Sequence, residues 1–156
     1  MLDSLVENLS EALKELTLLK HLSLNCSSAS NLTSKGVEAL TLTIQGLPHL
    51  SSLSLSFEKS KEIDEKAAHA LSQVFKSLLS LYSIELNLAE CDQINPKGDG
   101  LQDLFIAVCE MKNLWKLDLN VPRFNYPRQE VAKLQQRLAL YIHEGAKSLT
   151  IRTLDL

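Results

Sequence analysis

Residues 81–94, LYSIELNLAECDQI, decide the fold, because the spacing of their apolar residues recurs both before and after them. Leu81, Ile84, Leu86 and Leu88 stand at offsets 0, 3, 5 and 7, and the last three alternate with Glu85 and Asn87 as a half-buried strand requires. Moving back by 31 residues, the same offsets hold Leu50, Leu53, Leu55 and Phe57, and a further 31 back they hold Leu19, Leu22, Leu24 and Cys26. Moving forward by 33, they hold Leu114, Leu117, Leu119 and Val121.

A helical spacing accompanies each strand. Val6, Leu9, Leu13 and Leu16 line one face of a helix predicted over residues 3–16, with Asp3 as its cap. The spacing returns as Val37, Leu40, Ile44, Leu47; as Ala68, Leu71, Phe75, Leu78; as Leu101, Leu104, Val108, Met111; and as Val131, Leu134, Leu138, Tyr141. Leu32, Ile63 and Ile94 each precede a capping residue, Thr33, Asp64 and Asn95, and Pro96 then stands at the first helical position, where its missing N–H costs nothing. Leu32 opposite Val37, and Ile63 opposite Ala68, read as hydrophobic staples. Neither strand nor helix can bury its apolar face alone, so the units are expected to stack side by side, with a parallel concave sheet of four to five strands and the helices outside.

The chain of 156 residues fits a single domain over 1–156, and 45% hydrophobic content is enough for a continuous core. A net charge of −3 disfavours DNA as a partner. Cys26, Cys91 and Cys109 are odd in number and lack metal-ligand spacing, so they read as buried thiols in a reducing compartment. No signal peptide or membrane span is legible, which implies a cytoplasmic protein.

Strand segments such as LYSIELNLAEC and LWKLDLN, alternating with helices at about 31 residues, resemble leucine-rich repeats of the ribonuclease-inhibitor-like class in a long-repeat variant. The resemblance implies an α/β leucine-rich-repeat solenoid that binds proteins, and, for some members, regulates small GTPases. Where that family holds a polar Asn or Cys, this chain reads Ala29, Ser60, Cys91 and Phe124; only Cys91 fits, which argues against a continuous hydrogen-bonded ladder in the loops.

The pattern breaks in two places. The third unit gains two residues around NPKGDG, which reads as a wider loop. The fourth carries VPRFNYPRQE, where Arg123, Phe124, Tyr126 and Arg128 are of the types that anchor interfaces. Its helix is expected to run to about Lys147, and Ile151, Leu154 and Leu156 to begin a fifth strand. The Leu156 edge would need a partner chain or further repeats of a longer array to cover it.

Alternation sets His21, Ser23, Asn25, Ser52, Ser54, Ser56, Ser83, Glu85, Asn87, Lys116, Asp118 and Asn120 on the exposed strand face. Lys20, Ser51, Tyr82, Trp115 and Arg152 fall in one slot at the strand starts. The candidate protein-binding residues are Tyr82 and Trp115 as anchors, Glu85, Asn87, Lys116, Asp118 and Asn120 beside them, and Phe124 and Tyr126 in the fourth loop. No catalytic, cofactor or metal set is legible: His143–Glu144 lacks the second histidine of a zinc motif, and no phosphate-binding or nucleophile-elbow motif occurs. Lys133 and Arg137 read as a solvated face, so RNA is disfavoured. The sequence reads as a non-catalytic protein-interaction or assembly module within a larger complex. The alternative is a small-GTPase activator using Asn25, Asn87 and Asn120 on the concave face.

Overall fold

The computed structural model describes residues 2–95, 97–122 and 148–154, together with Gln129, Ala132 and Gln136. The elements run α1 Leu2–Lys14, β1 His21–Asn25, α2 Ser34–Gln45, β2 Ser52–Ser56, α3 Glu65–Ser77, β3 Ser83–Asn87, α4 Asp99–Glu110, β4 Lys116–Pro122 and β5 Ser148–Leu154. The fold is α/β: the strands form one parallel sheet in the order β1-β2-β3-β4-β5, and each helix packs on the next along the chain.

Register follows the apolar spacing. Leu22, Leu53, Ile84 and Leu117 stand side by side across the sheet, as do Leu24, Leu55, Leu86 and Leu119. Those of β2, β3 and β4 are 2% exposed or less, and each contributes roughly 1.5–3 kcal/mol by leaving water. They join the inward faces of α1 to α4 in one core, which includes Phe57, Phe75 and Phe105.

The caps of α2 and α3 stand where expected. Thr33 accepts from Lys35 N at 3.2 Å, and Asp64 from Lys66 N at 2.9 Å. A second set of bonds, between units, was not anticipated. The Asp3 carboxylate accepts from Thr33 N at 2.9 Å and Thr33 Oγ1 at 2.8 Å. Ser34 Oγ accepts from Asp64 N at 2.9 Å and donates to Asp64 Oδ1 at 2.6 Å. Glu65 accepts from Asn95 N at 3.1 Å and from Gly100 N. In each case a first-turn side chain of one helix holds the entry of the next. The approach is close enough that a Cβ on Gly36 would come within 2.5 Å of Asp3 Oδ1, and one on Gly100 within 2.6 Å of Glu65 Oε1.

Several expectations are corrected. Asp3 does not cap α1, which already includes Leu2; it serves the next unit's cap instead. Helix α4 starts at Asp99 with Gly98 rather than Asn95 as its N-cap residue, and the Glu65 carboxylate accepts from both Asn95 N and Gly100 N; Pro96 lies outside the described residues. Leu16 lies past the end of α1 and is 49% exposed. Cys91 is buried, but Cys26 and Cys109 are only partly so.

The loop slot is filled in the second unit as well as the third, so the expectation is corrected at Ser60, while Ala29 supplies no side-chain bond and Phe124 lies outside the described residues. Cys26 N donates to Ser56 O, Phe57 N to Asn87 O and Leu88 N to Asn120 O, at 2.7, 2.8 and 2.6 Å. Ser60 Oγ donates to the Cys26 carbonyl at 3.2 Å just as Cys91 Sγ does to that of Phe57 at 3.1 Å, so a serine fills the polar slot. Strand β5 begins at Ser148, three residues before the Ile151 expected to begin it, with Leu149 opposite Leu117 and Ile151 opposite Leu119. Arg152 accordingly stands opposite Asn120 and not in the strand-start slot of Trp115. Gln129, Ala132 and Gln136 are helical, within the helix expected to run to Lys147; the rest of that helix, with Lys133 and Arg137, His143 and the Leu156 edge, lies outside the described residues.

Candidate interaction surface

The strand-start slot is built by the backbone. Ser51 N donates to Lys20 O, Tyr82 N to Ser51 O and Trp115 N to Tyr82 O, each at 2.9 Å, which fixes the slot residues on successive rungs. Tyr82 and Trp115 therefore meet, with ring centroids 5.5 Å apart and planes tilted by 54°. That separation is typical of an attractive aromatic pair. Trp115 remains 37% exposed, whereas Ser83 beside Tyr82 is buried at 7%, contrary to the alternation that set it on the open face.

From this pair the exposed strand face runs toward the loops. Lys116 donates to Glu85, which also accepts from Ser54 Oγ at 3.3 Å. The lysine ammonium holds the Glu85 carboxyl below the usual carboxylate range, and the carboxylate in turn raises Lys116. Both side chains are about two-fifths exposed, so the pair adds little stability in water. Farther along, Asn87 donates to Glu58 Oε2 at 3.2 Å and accepts from Ala89 N at 3.1 Å. Glu85, Asn87, Asp118 and Asn120, with Ser54 and Ser56, line a shallow depression of about 200 Å³. Glu85, Asn87, Lys116, Asp118 and Asn120 thus alternate along β3 and β4 on one side of the sheet, and Tyr82 and Trp115 stand just before the two strands. Phe124 and Tyr126 lie outside the described residues.

Among the described residues, this face presents hydrogen-bonding groups and the Lys116–Glu85 charge pair, with the Tyr82–Trp115 contact at the strand starts. Burial pushes the Cys91 thiol up to about 11 and raises Cys26, which disfavours the nucleophilic thiolate. Among the described residues no group of three or more His, Cys, Asp or Glu side chains converges as a metal site would require, and no helix is long and apolar enough to cross a membrane.

A feature that sequence reading missed lies at the other edge of the Tyr82–Trp115 turns. Between the C-terminal ends of α3 and α4 a cleft of about 440 Å³ opens over Phe75, Leu78, Leu81, Ala107 and Met111.

No protein-family profile matches the chain, and no curated protein matches it. Solved structures do. The structure described as leiomodin-1 actin-binding site 2 superposes with a TM-score of 0.57 at 15% identity, over 94% of this chain and 77% of that one. The tropomodulin C-terminal domain of Caenorhabditis elegans superposes with a TM-score of 0.54 at 14% identity, over 88% of this chain and 93% of that one. These findings overturn the assignment to ribonuclease-inhibitor-like leucine-rich-repeat solenoids, because the spacing of leucines reports how strands and helices stack and does not identify a lineage. Neither matched structure is described as a GTPase regulator, so the GTPase-activator reading has no support in the comparisons. At these identities the likeness is one of fold.

Proposed function

We propose that the chain is a non-catalytic, intracellular protein-binding module whose exposed strand face contacts the partner, with Tyr82 and Trp115 as anchors. The observation that carries the reading is the aromatic pair itself: Trp115 keeps 37% of its surface open although Tyr82 lies 5.5 Å away. Tyr and Trp are the residue types most enriched at interface hot spots, and the surrounding Ser, Asn, Glu and Lys groups form the polar rim such anchors require. The leiomodin-1 structure is described as an actin-binding site, which makes actin the first partner to test.

The test is sedimentation and fluorescence anisotropy of the purified chain with monomeric and with filamentous actin. Saturable binding weakened at least tenfold by Trp115→Ala supports the reading, since truncating a hot-spot residue costs about 2 kcal/mol or more. Binding that Trp115→Ala and Tyr82→Ala leave unchanged would move the contact to another face. No binding to either form would remove actin.

A further inference from the structure

We propose that the outer face of α1 is the contact through which a second copy of this chain docks, the two α1 helices packing antiparallel about a two-fold axis. The other helices supply the comparison. Leu5, Leu9 and Ala12 of α1, with Leu16 just past its end, form one stripe at spacings of 4, 3 and 4. The same places in the unit of α2 hold Gly36, Leu40, Thr43 and Leu47, and the series continues from Ala67 to Leu78 and from Gly100 to Met111. In those three units every residue of the series is buried, and at Gly36 and Gly100 the neighbour is the helix before, since a Cβ there would meet Asp3 of α1 or Glu65 of α3. Among the described residues α1 packs on one helix only, α2, and its stripe is open: Leu5 is 64% exposed and Leu16 49%, Ala12 is exposed and Leu9 partly so. The opening continues along β1, the edge strand of the sheet, where Leu24 is only partly buried although Leu55, Leu86 and Leu119 in the same place are 2% exposed or less.

The stripe therefore continues a helix-to-helix contact already established three times within the chain, and its residues choose the occupant. A unit stacked like the others needs a small residue at the first place, as Gly36, Ala67 and Gly100 show, and Leu5 fills that room. A charged segment finds nothing to pair with along the stripe. At 100° per residue Glu7, Glu11 and Lys14 fall away from it, and Lys14 pairs with Glu11 at 2.6 Å; the nearest charge, Glu15, stands beside its end. A second α1 fits, because the stripe is its own complement, as a two-fold contact requires. Turned end for end about an axis between Leu9 and Ala12, it sets Leu5 against Leu16 of the second copy and Leu9 against Ala12, large on small at the centre. Four side chains from each copy make a small interface, so half-association is expected on the order of 100 µM.

Sedimentation equilibrium of the full chain, from about 1 µM to about 1 mM, should show its mass rise from that of one copy to that of two. Leu5→Lys and Leu16→Glu, both at exposed positions, should each weaken association about tenfold or more while circular dichroism and melting stay as in the parent. Mixed in equal amounts, the two variants should associate again, because the antiparallel pairing brings the two substituted positions together. Leu42→Glu, at a position 70% exposed on α2 and outside the stripe, should leave association unchanged. A single copy throughout the range, association indifferent to Leu5→Lys and Leu16→Glu, association lost equally with Leu42→Glu, or no recovery on mixing would each overturn the proposal. The readout involves neither actin nor Tyr82 and Trp115, so this contact and the strand-face reading stand or fall separately.

Discussion

The bonds between successive helix entries make Asp64→Ala the most informative single change. Asp64 caps α3 through Lys66 N and accepts from the hydroxyl of Ser34, a residue only 6% exposed in the first turn of α2. Losing an N-cap costs about 1 kcal/mol, and losing the bond from a buried hydroxyl to a carboxylate about 1.5 kcal/mol more, so about 2–3 kcal/mol is expected in all. In a chain of this size that lowers the melting temperature by about 5–10 °C. Ser34→Ala removes the same shared bond from the other side and also strands the Asp64 N–H, which it had accepted at 2.9 Å. The single losses therefore count the Ser34–Asp64 bond twice, and the double variant should be more stable than their sum by about 1 kcal/mol. Urea unfolding of the four proteins, monitored by circular dichroism with a common slope, measures this. Strict additivity within about 0.3 kcal/mol would show that the two units do not communicate through their helix entries.

Three further outcomes are expected. Leu86→Asp puts a carboxylate at a position 2% exposed in the central strand, a loss of at least about 4 kcal/mol, so helicity and the cooperative melt should both collapse; a variant that kept them would refute the stacking of units around β3. Ser28 is exposed and held at φ 58°, where a side chain is strained, so Ser28→Gly should raise stability by about 0.5 kcal/mol in urea unfolding, and a loss would show that its ordered loop outweighs the strain. Glu85 titrates below its ordinary value, so its ion pair contributes above the unfolded carboxylate pKa and is lost as pH falls through the depressed one. The melting-temperature difference between the parent and Lys116→Met should accordingly shrink below about pH 4 and in molar salt, and a difference independent of both would assign the effect of Lys116 to packing.

Where apolar side chains repeat, the sequence was readable. The offsets from Leu19, Leu50, Leu81 and Leu114 predict the register of β1 to β4, and Thr33 and Asp64 mark the starts of α2 and α3. Polar regularities were harder to see because their chemistry changes at each step. Asp3, Ser34 and Glu65 recur at intervals of 31 as an acid, an alcohol and an acid, yet all do the same work as acceptors for the next unit's backbone. Ser28, Lys59 and Glu90 share the same interval and all adopt positive φ, at 58°, 62° and 56°, without a glycine or asparagine to announce it. Asn95 misled in the opposite sense: it read as the cap of α4, whereas its N–H is held by Glu65 and the helix starts at Asp99 behind Gly98. On the interaction surface, the Tyr82–Trp115 pairing was legible from the shift of 33 alone, whereas the cleft between α3 and α4 left no mark in the apolar spacing.

The fourth strand shows how one residue alters the exposed face. Asn25 and Asn87 each close a turn after their strands by accepting from the N–H two residues on, Ser27 at 3.0 Å and Ala89 at 3.1 Å. The equivalent partner of Asn120 is Pro122, which has no N–H to give. The turn is not closed, Asn120 Oδ1 is buried without a hydrogen-bond partner among the described residues, and β4 runs straight through Pro122 for seven residues where β1, β2 and β3 have five. Strand β5 pairs along that whole length. Strand β4, two residues longer than β1, β2 and β3, is thus the one that Trp115 precedes and that carries Lys116 and Asp118 along it. The proposed partner surface lies where the sequence departs from its own repeat, because identical units make a core and only a departure can make one part of the face different from the rest.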